Sequence, residues 1–299
     1  MKIGGQYGLI NTKGDYVLRP KYVKISEFNK HGLAIAKRQA NRIKYEVIDR
    51  TGVVLTQNSY RDIQNYSEGY AAVRLKDYYG FIDAKGKLVI DNVYSKVSDF
   101  SNGLASVQLD GKCGYINQAG EVAIPFEFSK CLDFQDGKAV VYNGYRKAGL
   151  IDQQGEFLIK PGLNRLMDFN DGRGLVRDEK YRYYYITEQA KLYDGFYDSA
   201  GSFRHGVAVV KVAGLWGVIN QKGIEIVPPK YDKIENFEDG YAKVRIKEFS
   251  GLSNLSGETI VAPDYEFISY AGEGIFRVEQ GDMIGYFDRS GEWIWGLQE

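Results

Sequence analysis

Residues 215–244 read LWGVINQKGIEIVPPKYDKIENFEDGYAKV, and the rest of the 299-residue chain repeats that stretch with edits. Within it, Gly217-Val218-Ile219-Asn220 and Ile224-Glu225-Ile226-Val227 alternate like two short strands. The intervening Asn220-Gln221-Lys222-Gly223 suits a type I turn, in which Asn or Asp caps the turn and Gly supplies the positive φ that follows. Tyr231, Ile234, Phe237 and Gly240 then fall three apart. Period three fits neither a strand nor a long helix, and predicts a short helical or 3₁₀-like connection that plugs rings into a core. Gly240-Tyr241-Ala242-Lys243-Val244 closes the unit as a third strand.

The turn glycine recurs at Gly14, Gly52, Gly86, Gly120, Gly155, Gly223, Gly257 and Gly291, with Ala190 filling the one gap. Successive spacings are 38, 34, 34, 35, 35, 33, 34 and 34. A fixed period of this length marks a repeat architecture. The expected domain is a single one over 1–299, about eight full repeats plus a terminal partial copy. The small residue of the third strand recurs as Ala34, Ala71, Ala105, Ala139, Ala208 and Ala242, which predicts an inward position with no room for bulk. The unit is a three-stranded antiparallel meander, too small to be stable alone and dependent on stacking.

Trp216-Gly217-Val218-Ile219-Asn220-Gln221-Lys222-Gly223, the step Val227-Pro228-Pro229-Lys230-Tyr231 and the Gly-x-Ala-x-Val close together resemble the WG-repeat family of bacterial proteins. The resemblance runs from Tyr7 to about Trp295. The tryptophan column elsewhere holds Tyr7, Tyr45, Tyr79, Cys113, Ala148, Tyr183, Ser250 and Ile284. The resemblance implies a β-rich array with binding roles and brings no catalytic residues. The fold expected is all-β, an open superhelical β-solenoid, with a closed β-propeller-like ring as the alternative. A period of 34 is short for four-stranded blades, and the first and last units do not add up to one shared unit. Phe276, Trp293 and Trp295 depart from the repeat as end-covering residues should.

Composition agrees. Glycine is frequent at 35, proline scarce at 6 and tyrosine abundant at 24, which favours strands joined by tight turns. A net charge of zero weakens the case for nucleic acid, which wants a basic field. No run approaches the roughly 18 apolar residues of a membrane span, and MKIGGQYGLINTKG lacks the apolar core of a signal peptide. A cytoplasmic setting without membrane insertion is the expectation.

Reactive constellations are sparse. Cys113 and Cys131 occupy apolar columns and are expected as buried, reduced thiols. His31 and His205 precede Gly32 and Gly206, in a column shared with Glu68, Asn102, Asp136, Asp171, Asp239 and Glu273, and are expected as turn residues. Asp49, Asp83, Asp152 and Asp288 alternate with Asn in the first turn, as turn chemistry asks. No cofactor and no metal site are expected.

The most informative copy is the broken one. Residues 181–190 read YRYYYITEQA, without the Gly after the aromatic and without the turn Gly, and Arg173, Arg177 and Lys180 precede them. Guanidinium groups beside rings can form a stacking platform, so Arg173, Arg177, Arg182, Tyr183, Tyr184 and Tyr185 are the candidate binding residues. Ordinary repeat decay is the competing account. Lys37, Arg38, Arg42 and Lys44 form a second basic cluster, read as a solvated loop. The functional expectation is a non-enzymatic surface for protein–protein interaction. A carbohydrate or cell-surface binder is the alternative, and a hydrolase with paired carboxylates the third class.

Overall fold

The computed structural model describes all residues except 40, 146, 190–194, 236, 238–239 and 299. The turn position Ala190 and the column residue Asp239 therefore lie outside the described residues. Every regular element described is a strand, and the strands form nine small antiparallel sheets in chain order. No helix is long and apolar enough to cross a membrane. The chain divides into two compact units, Met1–Gly162 and Leu163–Glu299. The first holds five sheets and the second holds four.

The seventh sheet shows the plan. Ser199–Ala200, Val207–Val212, Leu215–Asn220 and Glu225–Tyr231 pair in sequence order. The last three are the expected meander. The first is new: where period three suggested a helical turn, each regular unit instead makes a two-residue strand followed by extended chain, as in Lys96–Val97 and Lys130–Cys131. The helical expectation is corrected. A ring every third residue arises because a brief pairing and a bend, not a helix, deliver Tyr94, Val97 and Phe100 to one core.

Both faces of the middle strands are buried, and the strand period of two assigns them. In the seventh sheet, Ala208, Val210 and Ile219 pack back on Leu175 and Tyr185 of the sixth sheet, together with Phe203 from the connection between the seventh sheet's own first two strands. Val209, Val218 and Val227 pack forward with Phe237, Ala242 and Val244 of the eighth unit. The same alternation builds the cores between the second and third, third and fourth, and fourth and fifth sheets. Ala71, Ala105, Ala139, Ala208 and Ala242 are all buried, because each faces the rings of the preceding sheet. Phe134 meets Tyr115 edge-on at 4.8 Å, and Phe203 meets Tyr185 at 4.7 Å. Burying one such ring contributes roughly 2–3 kcal/mol.

The glycine after the aromatic has a steric cause. Trp216 pairs with Tyr231 and Val218 with Val227, so the strand Glu225–Tyr231 bulges between those pairs and carries Pro228 and Pro229 where no ladder N–H is needed. The bulge lies across Gly217, where a Cβ would stand 2.5 Å from the Val227 carbonyl. Gly223 serves the turn instead, at φ +77°.

Cys113 and Cys131 form a disulfide, with Cα atoms 6.0 Å apart. The expectation of two reduced thiols is corrected. Their columns were read as separate apolar positions, but the tryptophan column of one sheet abuts the start of the next. Trp216 likewise packs with Ile234. Cys113 in Lys112–Asn117 and Cys131 in Lys130–Cys131 thus staple the fourth sheet to the fifth.

Candidate functional site

Most polar side chains singled out in the sequence serve the repeat itself. Asp83 Oδ1 accepts the N–H groups of Lys85 and Lys87 at 2.8 and 3.0 Å, and Asn220 Oδ1 does the same for Lys222 and Ile224. That pattern accounts for the exchange of Asp with Asn. His205 takes a turn position at φ +53°, as do Glu68, Asn102, Asp136, Asp171 and Glu273 at φ 49–54°. The column does more than turn the chain. Glu68, Asn102 and Asp171 accept the N–H of Gly103, Gly137 and Gly206, one repeat further on, at 2.8–2.9 Å. Among the described residues no group of three His, Cys, Asp or Glu could hold a metal ion. Burial first and the charge of Asp133 second raise the Asp99 carboxyl above its usual range, yet both carboxylates stand on the open surface.

A second recurring device pairs a cation with the ring of the tryptophan column on the adjacent strand. Lys2 lies 5.3 Å from Tyr7, Lys37 5.8 Å from Tyr45, Arg74 5.5 Å from Tyr79 and Lys211 5.6 Å from Trp216. In each case the two residues are cross-strand partners. Lys37 therefore belongs to the repeat, and its neighbour Arg38 pairs with the buried Glu46 at 3.4 Å. Half of the second basic cluster is structural.

These regularities sort the six candidates of the sixth sheet, whose strands are Leu166–Asn170, Arg173–Arg177 and Tyr183–Ile186. Arg173 donates from Nε and Nη2 to the Gln221 carbonyl and braces the turn of the next sheet. Tyr185 is 1% exposed, its hydroxyl donates to the Gly201 carbonyl, and burial holds its ionisation far above the usual range. It matches Tyr115, whose hydroxyl donates to Leu132, and is core rather than contact surface. Arg177 and Tyr183 are cross-strand partners 6.0 Å apart, the recurring cation–ring pair once more.

What remains departs from the seventh sheet in its side chains. The hairpin at 178–182 closes with the same two backbone hydrogen bonds as the turns at 49–53 and 220–224, but Tyr181 stands at φ +64° where those turns have Gly52 and Gly223, a conformation that a bulky side chain rarely adopts. Tyr181 is 68% exposed, and the Arg177 guanidinium sits 5.0 Å from its ring. Beside it, the Arg182 guanidinium lies 5.7 Å from the Tyr184 ring and 4.9 Å from Phe196, itself 51% exposed. Asp178 organises this second group: it accepts from Arg182 Nε at 2.9 Å and from the Tyr184 hydroxyl at 3.1 Å. Desolvation opposes ionisation of Asp178, but the hydrogen bonds from the Arg182 backbone, the guanidinium and Tyr184 outweigh it and hold the carboxyl below its usual range. The candidate site is thus Arg177, Tyr181, Arg182, Tyr184 and Phe196. Tyr181 and Phe196 were missed from sequence. Their signal was a ring where other copies hold something else: Tyr181 at the turn position of Gly52 and Gly223, and Phe196 at the position of Lys21, Val93 and Lys230.

Eight segments match the model of the family described as WG containing repeat: 7–39, 47–79, 79–113, 114–146, 149–181, 197–216, 216–248 and 251–283. The unmatched stretch 182–196 carries Arg182, Tyr184 and Phe196. No curated protein matches the chain. Among solved structures, the crystal structure of the eukaryotic initiation factor is 11% identical, with 98% of this chain and 94% of that one covered and a TM-score of 0.55. The computationally designed Ika8 protein is 12% identical over 90% and 96%, with a TM-score of 0.46. The WD40 β-propeller domain of Doa1 is 12% identical over 76% and 91%, with a TM-score of 0.36. At 11% identity the first likeness concerns the fold alone.

Proposed function

The chain belongs to the WG containing repeat family, and from that premise we propose a non-catalytic repeat protein that engages another protein through the hairpin end of its sixth sheet. The observation that carries this reading is Tyr181, held at φ +64° and exposed over Arg177. A positive φ costs a bulky side chain roughly 1–2 kcal/mol, and such positions cluster at functional sites. Tyrosine and arginine are the residue types enriched at interface hot spots, because they present large, partly rigid contact area.

A glycan-binding array needs the same outward ring in most repeats. Of the outward rings, Tyr16, Phe157 and Trp293 share one column, two residues after the turn glycine, but Val54, Leu88, Val122, Glu225 and Thr259 fill it in other copies, so most repeats lack that ring, which favours a single protein contact. The test is comparative capture from a lysate of the source organism with wild type, Arg182→Ala/Tyr184→Ala and the control Tyr78→Ala. A protein retained by wild type and control but lost by the double variant, with an unchanged thermal midpoint, supports the reading. Retention by all three, or binding confined to a glycan array, overturns it.

A further inference from the structure

The recurring cation–ring pair is broken in four sheets, and the breaks differ in what fills the space. In the fourth sheet Cys113 bonds to Cys131. In the fifth, Ala148 faces Tyr142, so the ring has moved to the other strand, where Lys130 lies 5.4 Å from it. In the ninth, Ile284 faces Glu279, and both cation and ring are gone. The eighth sheet alone keeps the cation and loses the ring: Arg245 faces Ser250, 34 residues after Trp216. Ser250 is 3% exposed.

A cavity of about 330 Å³ stands there, lined among others by Lys233, Lys243, Arg245, Ser250, Glu266 and Phe267. Its charges are largely engaged. Lys233 pairs with Glu235 at 3.0 Å, Glu266 accepts the Gly281 N–H at 3.2 Å, and Lys243 lies 4.4 Å from the Phe267 ring. Arg245 donates from Nε to the Lys247 carbonyl at 2.7 Å, a neutral partner that leaves the guanidinium its positive charge. Three cations therefore face three carboxylates, Glu235, Glu248 and Glu266, and the space selects neither a small cation nor a small anion. It offers a cation beside a ring-sized void, which is the environment Trp216 has one sheet earlier. The volume lies at the low end of ligand pockets, about 300–1,000 Å³.

We propose that this socket takes an aromatic side chain, tryptophan or tyrosine, from a protein partner, seated where the repeat normally places its own ring. The inference rests on the reading that the chain engages a protein. A cation–ring contact out of water is stronger than an exposed one, so the docked ring acts as an anchor.

The experiment titrates the 299-residue protein with N-acetyltryptophanamide and, separately, indole-3-acetate, by ligand-observed NMR. The key variant is Ser250→Trp, which fills the socket from within and restores the Trp-Gly pair. Wild type is expected to bind N-acetyltryptophanamide saturably, and Ser250→Trp at least tenfold more weakly, with a thermal midpoint no lower than that of wild type. Arg245→Ala serves if Ser250→Trp does not fold, with the same tenfold weakening expected. No saturable binding to wild type, or equal affinity in the variant, overturns the proposal. A tenfold preference for indole-3-acetate also overturns it, in favour of a small-molecule site. No partner is needed, so the two readings fail separately: loss of probe binding with partner capture intact fails the socket, and the reverse fails the sixth-sheet reading.

Discussion

The sixth and seventh sheets share the repeat's central hairpin, pack against one another, and use their aromatic and charged residues in opposite ways. In the seventh, Lys211 covers Trp216, Asn220 holds its own turn and Gly217 yields to the bulge, so nearly every distinctive side chain serves stacking. The sixth keeps the half that its neighbour needs: Leu175 and Tyr185 meet Ala208, Val210 and Ile219 as the consensus would. Its hairpin end has changed, and there Tyr181, Arg182 and Phe196 face outward. In a stacked repeat the buried faces are constrained from both sides, while a hairpin end touches little. Such an end can change its side chains without loss of packing.

The widest contrast lies between adjacent residues of one strand. Tyr185→Ala should destabilise by about 3–5 kcal/mol, whereas Tyr184→Ala should cost under about 1 kcal/mol, both read from denaturant midpoints. Similar costs for the two would erase the distinction between core and surface in the sixth sheet. Next in size is the staple between the fourth and fifth sheets. Closing an 18-residue separation is worth about 3 kcal/mol in the chain-entropy model, so Cys131→Ser or full reduction should lower the midpoint accordingly. The cytoplasmic setting expected from sequence would keep those thiols reduced, so comparing oxidised and reduced protein also measures what the bond supplies.

Overpacking probes the regular side of the comparison. Ala242→Leu should cost about 1–3 kcal/mol, because Ala242 lies buried among Val209, Tyr231 and Phe237. An unaffected midpoint would place that column on the surface. The smallest effect is electrostatic. Asp178 is held below its ordinary value of 3.8, so its contribution is complete above that value and fades as the pH falls through the depressed one. Acid unfolding of Asp178→Asn should therefore differ from wild type in slope only below about pH 4.

Much of this was legible in the sequence, for physical reasons that differ by feature. Turn chemistry is local, so Asn220 with Gly223 and the Asp–Asn exchange could be read from spacing. The alanine column was equally plain, since only a crowded position recurs as Ala. The two-residue strands were not legible, because Lys96–Val97 is too short for a period of two to show against the threefold spacing of rings. The Cys113–Cys131 bond joins consecutive sheets, and column membership alone does not say which columns touch. For the site, parity along Tyr183–Ile186 could have separated Tyr185 from Tyr184, and the likeness of Tyr185 to Tyr115 could have placed it inside. Ser250 was visible in the tryptophan column, but that Arg245 faces it required the register.

The central claim is that Tyr181 keeps a strained backbone for the sake of a partner. Tyr181→Gly tests it most directly, with thermal midpoint and partner retention measured on the same sample. Glycine removes the penalty of φ +64°, so the account predicts stability raised by up to about 1 kcal/mol together with partner retention reduced at least about tenfold. A variant that is less stable, or one that is stabilised and holds its partner as wild type does, would contradict it.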